Sequence, residues 1–506
     1  MKDENESSKI KQKKENNQNK EEDENNLINN NTIDIRDFNN VDEFQKNEIN
    51  KIIRSKYSSQ LLSLTEGLSD FSNLAISYYF KDSLKLSPSQ SSFYRSLISF
   101  PFIFQPLFGL ISDSCPILGY KRRTYLIIGG ALNFLLWLII SFISSSQFLA
   151  IFFLVIISLN NTFINACSGG ILVEVSKKLT LNDKKLERYN ASSIYKSVGM
   201  AISSISRGFI IQYLGVRTIF FMAGGLSLFN VIAGVIYFET ENDKKEENSY
   251  QALKVISDEE MNQDKNKNFF SVLNNKNILL PLFLVLFFSS SPSYFESSFY
   301  YLTDVKSFNP TNFGYLTFCM MISMLVTSII YKNKLKGKDK KKVIFWSSII
   351  SFSSSCFFNI YLTFNLSSKI IVILSISLYV SIKTICSKPM LDIAFLSCPK
   401  GYEGSVMGLF GSALSFGKTI STFFGSVLTN FFKVDKNHYG NFNLMIFVHN
   451  IISLSSLLGL YLIDDDLLSL KGNKKIFNYK KYITNSIETD VDIYNEKMKL
   501  KENNRM

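Results

Sequence analysis

The sequence predicts an all-α integral membrane protein with twelve spanning helices arranged as two six-helix bundles. Three observations lead there. Apolar residues are bunched in nearly uncharged blocks such as 126–143 and 148–159, close to the ~20 residues needed to cross ~30 Å of hydrocarbon. The blocks fall into two groups of six, separated by a polar stretch from Glu239 to Asn277. Lys and Arg also collect in alternate connections. With both ends on the cytoplasmic side, the inner loops hold 22 of them and the outer loops 7, the bias expected of cytoplasmic loops.

The elements follow in order. Residues 1–56 are rich in Asn, Lys, Glu and Asp, with too little apolar surface to offset the entropy of ordering, and read as a disordered cytoplasmic tail without a signal peptide. Segments near 58–80, 91–112, 124–145, 147–173, 191–215 and 217–238 make the first bundle, 57–238. Residues 239–277 form a cytoplasmic linker. Segments near 278–303, 312–331, 343–364, 368–397, 402–432 and 442–463 make the second bundle, 278–463, and 464–506 a second cytoplasmic tail. Composition excludes other classes. The chain of 506 residues carries a net charge of +12 and 45 Phe against two His. Its cations lie in loops of one side, which assigns the charge to topology and lipid headgroups and not to nucleic acid. Six cysteines show no metal spacing, so reduced thiols, no metal and no cofactor are expected. Two separated histidines and the lack of GxxxxGK[ST] leave neither a catalytic centre nor an ATP-driven pump, and the chain is read as no enzyme.

A charge at mid-bilayer is costly, so each one points to a cavity or a partner. In the first segment Glu66 and Asp70 share a helical face with Asn73 and Ser77. Partly desolvated carboxylates of this kind bind and release protons, as do the candidates Glu296, after Pro292, and Asp392. In the second segment Pro101 and Pro106 bracket Gln105, next to Phe102, and each removes a backbone donor and bends the helix. In the fourth, Asn161, Asn165 and Gly169 form a stripe that is either a ligand lining or polar glue between helices. In the fifth, Arg207 suits a carboxylate, or pairs with an acid such as Glu296. Lys388 and Asp392, four apart, are expected to pair with each other, whereas Lys383 has no such partner. The small residues Gly404, Gly408 and Gly411 are expected to pack on Gly109 of the second segment, pointing Lys418 toward the centre.

The stretch from Phe100 to Arg123, FPFIFQPLFGLISDSCPILGYKRR, leaves the membrane through Gly109 and Asp113, turns at Pro116 and Gly119, and ends on Lys121, Arg122 and Arg123. It resembles the gating loop between the second and third helices of major facilitator superfamily transporters. With LAISYYFKDSLKLSPSQ (74–90) and SKPMLDIAFLSCPKGYEGSVMGLFGSALSFGK (387–418), the likeness narrows to the folate-biopterin transporter family, the apicomplexan folate transporters among them, over most of 57–463. The resemblance implies the major facilitator fold and a secondary active transporter of folates or pterins, coupled to protons by alternating access. Its substrate, of the folate, pterin or p-aminobenzoate class, would meet Asp70, Arg207, Lys383, Lys418, Phe102, Gln105, Asn161 and Asn165, with Tyr78, Tyr79 and Phe102 for stacking. Gly109, Asp113, Gly119, Arg122 and Arg123 would gate. Family members commonly carry Trp and Lys in place of Phe102 and Gln105, and an acid near Gly169. A monomer in the plasma membrane is the expectation. The same fold carrying another organic anion, or a non-transporting receptor or scaffold, is the alternative.

Overall fold

The computed structural model describes residues 43–143, 146–178, 185–239, 276–335, 338–364, 368–397, 403–436, 438–455 and 457. Most of both expected tails and of the 239–277 linker lie outside them, as do the side chains of Asp113 and Asp392. The described elements are α1 (Glu43–Leu68), α2 (Phe71–Tyr78) with a π turn (Tyr79–Ser83), α3 (Pro88–Ser99), a 3-10 stretch (Phe100–Phe104) and α4 (Gln105–Ser114). Then come α5 (Arg123–Phe142), α6 (Gln147–Lys178), α7 (Lys185–Leu214), α8 (Val216–Ile236), α9 (Lys276–Ser289) and α10 (Phe295–Asp304). The chain continues through α11 (Pro310–Ile330) with a π turn (Tyr331–Leu335), α12 (Lys340–Thr363), α13 (Lys369–Ser397), α14 (Glu403–Phe431) and α15 (Phe442–Ser455). The described residues contain no β-strand, and seven of their helical spans are long and apolar enough to cross a membrane. Large side chains such as Leu110, Phe142, Phe148 and Phe431 point outward, as they must where hydrocarbon is the solvent.

Helix breaks occur where local chemistry demands them. Ser87 and Gln90 form a capping box with Pro88 at the first helical position, which starts α3 sharply. Pro101 and Pro106 remove two donors, and the backbone between them tightens to 3-10 geometry before α4. At Pro292 the chain leaves helical geometry between α9 and α10. The freed groups are satisfied from α14: Ser293 N–H donates to the Ser421 carbonyl at 2.9 Å, and Ser421 Oγ donates to the Ser291 carbonyl at 2.5 Å. Gly425 lets α14 lie directly on the Ser293 backbone. A polar break inside a membrane survives only with such partners.

Helices of residues 57–239 and of 276–457 are joined at one end. Gly208 of α7 meets Gly314 and the Pro310 carbonyl at the start of α11, where an added Cβ would sit 2.8 Å from that oxygen. Ser89 and Ser426 exchange hydrogen bonds between α3 and α14. Tyr300 of α10 donates to the Leu86 carbonyl at 2.8 Å and shares a hydrogen bond with Ser91 at 2.7 Å. Beneath them Tyr78 packs edge-on against Phe299 at 4.9 Å, and Phe299 against Phe313 at 5.0 Å, in an aromatic core shared by both sets of helices. Tyr78 and Tyr79 are thus buried in packing, Tyr78 at the seam and Tyr79 against Phe220 of its own half, and are not free for ligand stacking, contrary to expectation.

At the other end the expected packing is absent. Around Gly109, Gly408 and Gly411 no atom would lie within 4 Å of an added Cβ. The close approaches of α14 fall at Gly417 and Gly425 instead.

Candidate functional site

Asp70 occupies the unwound turn between α1 and α2, so its carboxylate projects from a helix break. It accepts from Arg207 Nη1 at 2.6 Å and from Asn73 Nδ2 at 2.5 Å, and Arg207 also donates to the Asp70 carbonyl at 2.7 Å. The Arg207 side chain is 4% exposed and that of Asp70 22%. Arg207 thus pairs with an acid, as the alternative held, but the acid is Asp70, because Glu296 is taken by Arg95. Arg207 is committed within its own half, so it has less to offer a ligand than its isolated charge implied. One turn away, Glu66 pairs with Lys196 of α7 at 2.5 Å, both side chains 38% exposed.

Across the gap stand Lys383, near the middle of the 29-residue α13, and Lys418, near the middle of the 29-residue α14. Both are exposed to solvent. Lys383 Nζ lies 5.8 Å from the Tyr379 ring, whose neighbour Tyr294 packs edge-on against buried His449. Among the described residues neither lysine forms a salt bridge. Two mid-helix cations thus have no acidic partner among the described residues, a pattern that suits an anion.

The remaining expected residues divide. Phe102 and Gln105 are half-buried around the 3-10 break. Asn161 accepts from Asn133 Nδ2 at 2.5 Å, while Asn160 donates to Asn133 Oδ1 and to the Gly129 carbonyl. Of the stripe, Asn161 alone ties α6 to α5, and it also lines a cavity of about 40 Å³ with Ser69, Trp137 and Asn230. Asn165 is half-buried and Gly169 exposed. Lys388 is half-buried, and its expected pairing with Asp392 lies outside the described side chains.

The basic loop is held by its own half. Gly119 sits at φ +82°, a conformation that costs an L side chain roughly 1–2 kcal/mol. Glu239, just beyond α8, accepts from the backbone N–H groups of Lys121, Arg122 and Arg123 at 2.6, 3.2 and 3.0 Å. These are the orphan donors at the start of α5, where a carboxylate also meets the positive end of the helix dipole. Arg122 lies against Gly170, whose lack of a side chain makes the room, and Arg123 over the Tyr120 ring at 5.2 Å.

Two further residues escaped the sequence reading. Glu239 looked like the first residue of a linker. Arg95, a lone cation in the second apolar segment, was detectable by the rule that found Arg207; it bonds Glu296 at 2.9 Å. Among the described residues no cluster of three His, Cys, Asp or Glu could hold a metal.

Bent spans that meet at one end give an all-helical fold shared with solved membrane transporters of the major facilitator type. A D-xylose-proton symporter superposes with a TM-score of 0.61 at 12% identity, covering 81% of this chain and 97% of the other. The nucleoside transporter NupG superposes at 0.58 and 12% identity, covering 81% and 98%. The chain belongs to the BT1 family, whose model matches residues 66–476. The Synechocystis folate-biopterin transporter is 25% identical over 402 residues, 77% of each chain. Putative folate transporter 2 of Plasmodium berghei is 25% identical over 431 residues, 82% of this chain and 90% of the other. Folate transporter 1 of Plasmodium falciparum is 23% identical over 423 residues, 81% and 80%.

Proposed function

We propose that this protein carries folates or related pterins across a membrane by alternating access, driven by a proton gradient. The observation that carries the reading is the pair Lys383 and Lys418, exposed at mid-helix and without acidic partners among the described residues. Folates end in carboxylates, and a carboxylate between two ammonium groups relieves their mutual repulsion. The half-buried Phe102 and Gln105 stand on the facing helix, and Tyr294 and Tyr379 beside Lys383 offer aromatic surface for a flat heterocycle.

In this reading the two bundles, 57–238 and 278–463, contribute twelve crossings and rock about the site. Both termini and the 239–277 linker face the cytoplasm, so the joined end of the structure is the outer one and the conformation is open to the inside. Gly109, Asp113, Arg122 and Arg123 meet the opposite bundle when the inner side closes. Candidate proton carriers are Glu66, Asp70, Glu296 and Asp392. The protein works as a monomer in the plasma membrane. The test is uptake of labelled folate, biopterin and p-aminobenzoate into liposomes holding the purified chain, with and without an inward proton gradient. Accumulation of a folate or pterin that the gradient stimulates is expected; liposomes that take up none of the three overturn the assignment.

A further inference from the structure

The cavity of about 40 Å³ inside the first half, beside the break between α1 and α2, has an acceptor-rich wall. Its hydroxyls have already committed their protons. Thr65 Oγ1 donates to the Leu61 carbonyl at 2.8 Å and Ser69 Oγ to the Glu66 carbonyl at 2.7 Å. Ser72 Oγ donates to the Ser69 carbonyl at 3.4 Å and Ser227 Oγ to the Gly224 carbonyl at 2.5 Å. What these side chains have left to offer is lone pairs. Asn230 of α8, 7% exposed, lines the same cavity, and its amide has no hydrogen-bond partner among the described residues. A buried amide left unpaired is costly, so Asn230 marks a place for a group that the wall itself does not supply. Asn161 Oδ1 is held by Asn133 and takes no part.

The position favours positive charge. Thr65 and Leu68 border the cavity at the C-terminal end of α1, where carbonyls lose their helical partners and the macrodipole is negative. The charges next to the break cancel, since Asp70 is paired with Arg207. Nor can the walls close over the space. An added Cβ would lie 3.1 Å from the Ser227 carbonyl at Gly130 and 3.3 Å from the Phe134 carbonyl at Gly224, so α5 and α8 already touch, and α1 rests on α7 through Gly67 and Gly199. A water molecule takes up roughly 10–15 Å³ of such space, which leaves room for one small ion with a water or two and for no organic ligand. Among the described residues no carboxylate lines the cavity, as a divalent cation would require. Neutral oxygens at a helix break suit a hard monovalent cation.

We infer that this cavity is a binding site for a sodium-sized monovalent cation, with Asn230 Oδ1 and the hydroxyl lone pairs around it as its ligands. Exposed Ser69 provides the entry. The bound cation ties the turn between α1 and α2 to α8 and so holds Asp70 where Arg207 meets it. The site takes no part in holding a folate, so the test uses no organic substrate and its failure leaves the carrier reading standing.

Trp137, stacked on Phe220, lines the cavity and reports on it. The chain has two tryptophans, and the other, Trp346, is 60% exposed, so Trp346→Phe leaves a single fluorophore in the full chain in lipid nanodiscs. Fluorescence is followed as sodium chloride replaces choline chloride at constant ionic strength. A saturable change is expected with sodium and a weaker one with potassium. Ser227→Ala, which removes one oxygen and is mild to the fold, raises the sodium midpoint several-fold. Asn230→Asp places a carboxylate among the same oxygens and lowers it about tenfold; a cavity that holds only ordered water responds to neither variant. A response to sodium that does not saturate, an equal response to potassium, a response to pH alone, or a sodium midpoint unmoved by both variants overturns the inference.

Discussion

Removing Asp70 should damage the protein far more than removing Arg207, although the two form one ion pair. The asymmetry comes from their surroundings. In Asp70→Ala the guanidinium of Arg207, 4% exposed, stays in place with only the residue-70 carbonyl to accept from it, and its Nε already lacks an acceptor. Stranding a buried charge costs about 3–5 kcal/mol. In Arg207→Met the remaining carboxylate is 22% exposed, keeps the Asn73 donor and borders solvent-exposed Ser69 and Asn73. Its loss is one charge-assisted hydrogen bond, about 1.5–3 kcal/mol. The difference of about 2 kcal/mol corresponds to roughly a thirty-fold change in an equilibrium constant. The double variant leaves no charge stranded and should recover most of the Asp70→Ala deficit, a positive coupling between adjacent sites. The assay is the half-life of monodisperse protein in detergent at one temperature, measured for both single variants, the double and the wild type. Equal damage from both single variants, or a double variant worse than Asp70→Ala, would refute the reasoning.

Three other outcomes follow from the same geometry. Lys418→Gln removes a contact of about 1.5–3 kcal/mol to an anionic ligand and should raise the half-saturating folate concentration roughly ten- to a hundred-fold, read from initial uptake rates at equal protein amount. An unchanged curve removes Lys418 from the site. Gly208→Leu places side-chain atoms against the Pro310 carbonyl and Gly314 Cα, where backbone cannot yield. The outer end should stay apart, with longer distances by pulsed electron resonance between spin labels at Leu214 and Val305. Glu239→Ala strips the acceptor from three backbone donors ahead of α5. A loss of about 1–2 kcal/mol should appear as a lower thermal midpoint, with slower maximal transport and little change in half-saturation.

The bends were legible because their causes are local. Pro101, Pro106 and Pro292 remove donors wherever the chain goes, and the 3-10 stretch and the α9–α10 break appear at those places. Lys383 and Lys418 were legible as charges in apolar surroundings by the same token. Partners were not. Which acid meets Arg207 depends on which helix lies beside α7, and the answer, Asp70 rather than Glu296, is a property of packing. The sequence leaves Asn161 as lining or glue, and packing gives it both, a bond from Asn133 of α5 and a place in the wall of a small cavity. Arg95 was missed although it satisfied the rule for intramembrane charges, and its importance became visible only with Glu296 opposite it.

The sequence by itself determined the solvent this chain lives in, the succession of its apolar segments, the places where helices break and the charges they carry across lipid, because each follows from transfer and backbone hydrogen bonding within a few residues. Tertiary structure alone decided which charges neutralise each other and which, among the described residues, have no acidic partner. It also decided which end of the molecule is joined, because close approach at Gly208, Gly314 and Gly425, with open space at Gly109, Gly408 and Gly411, concerns residues a hundred or more positions apart.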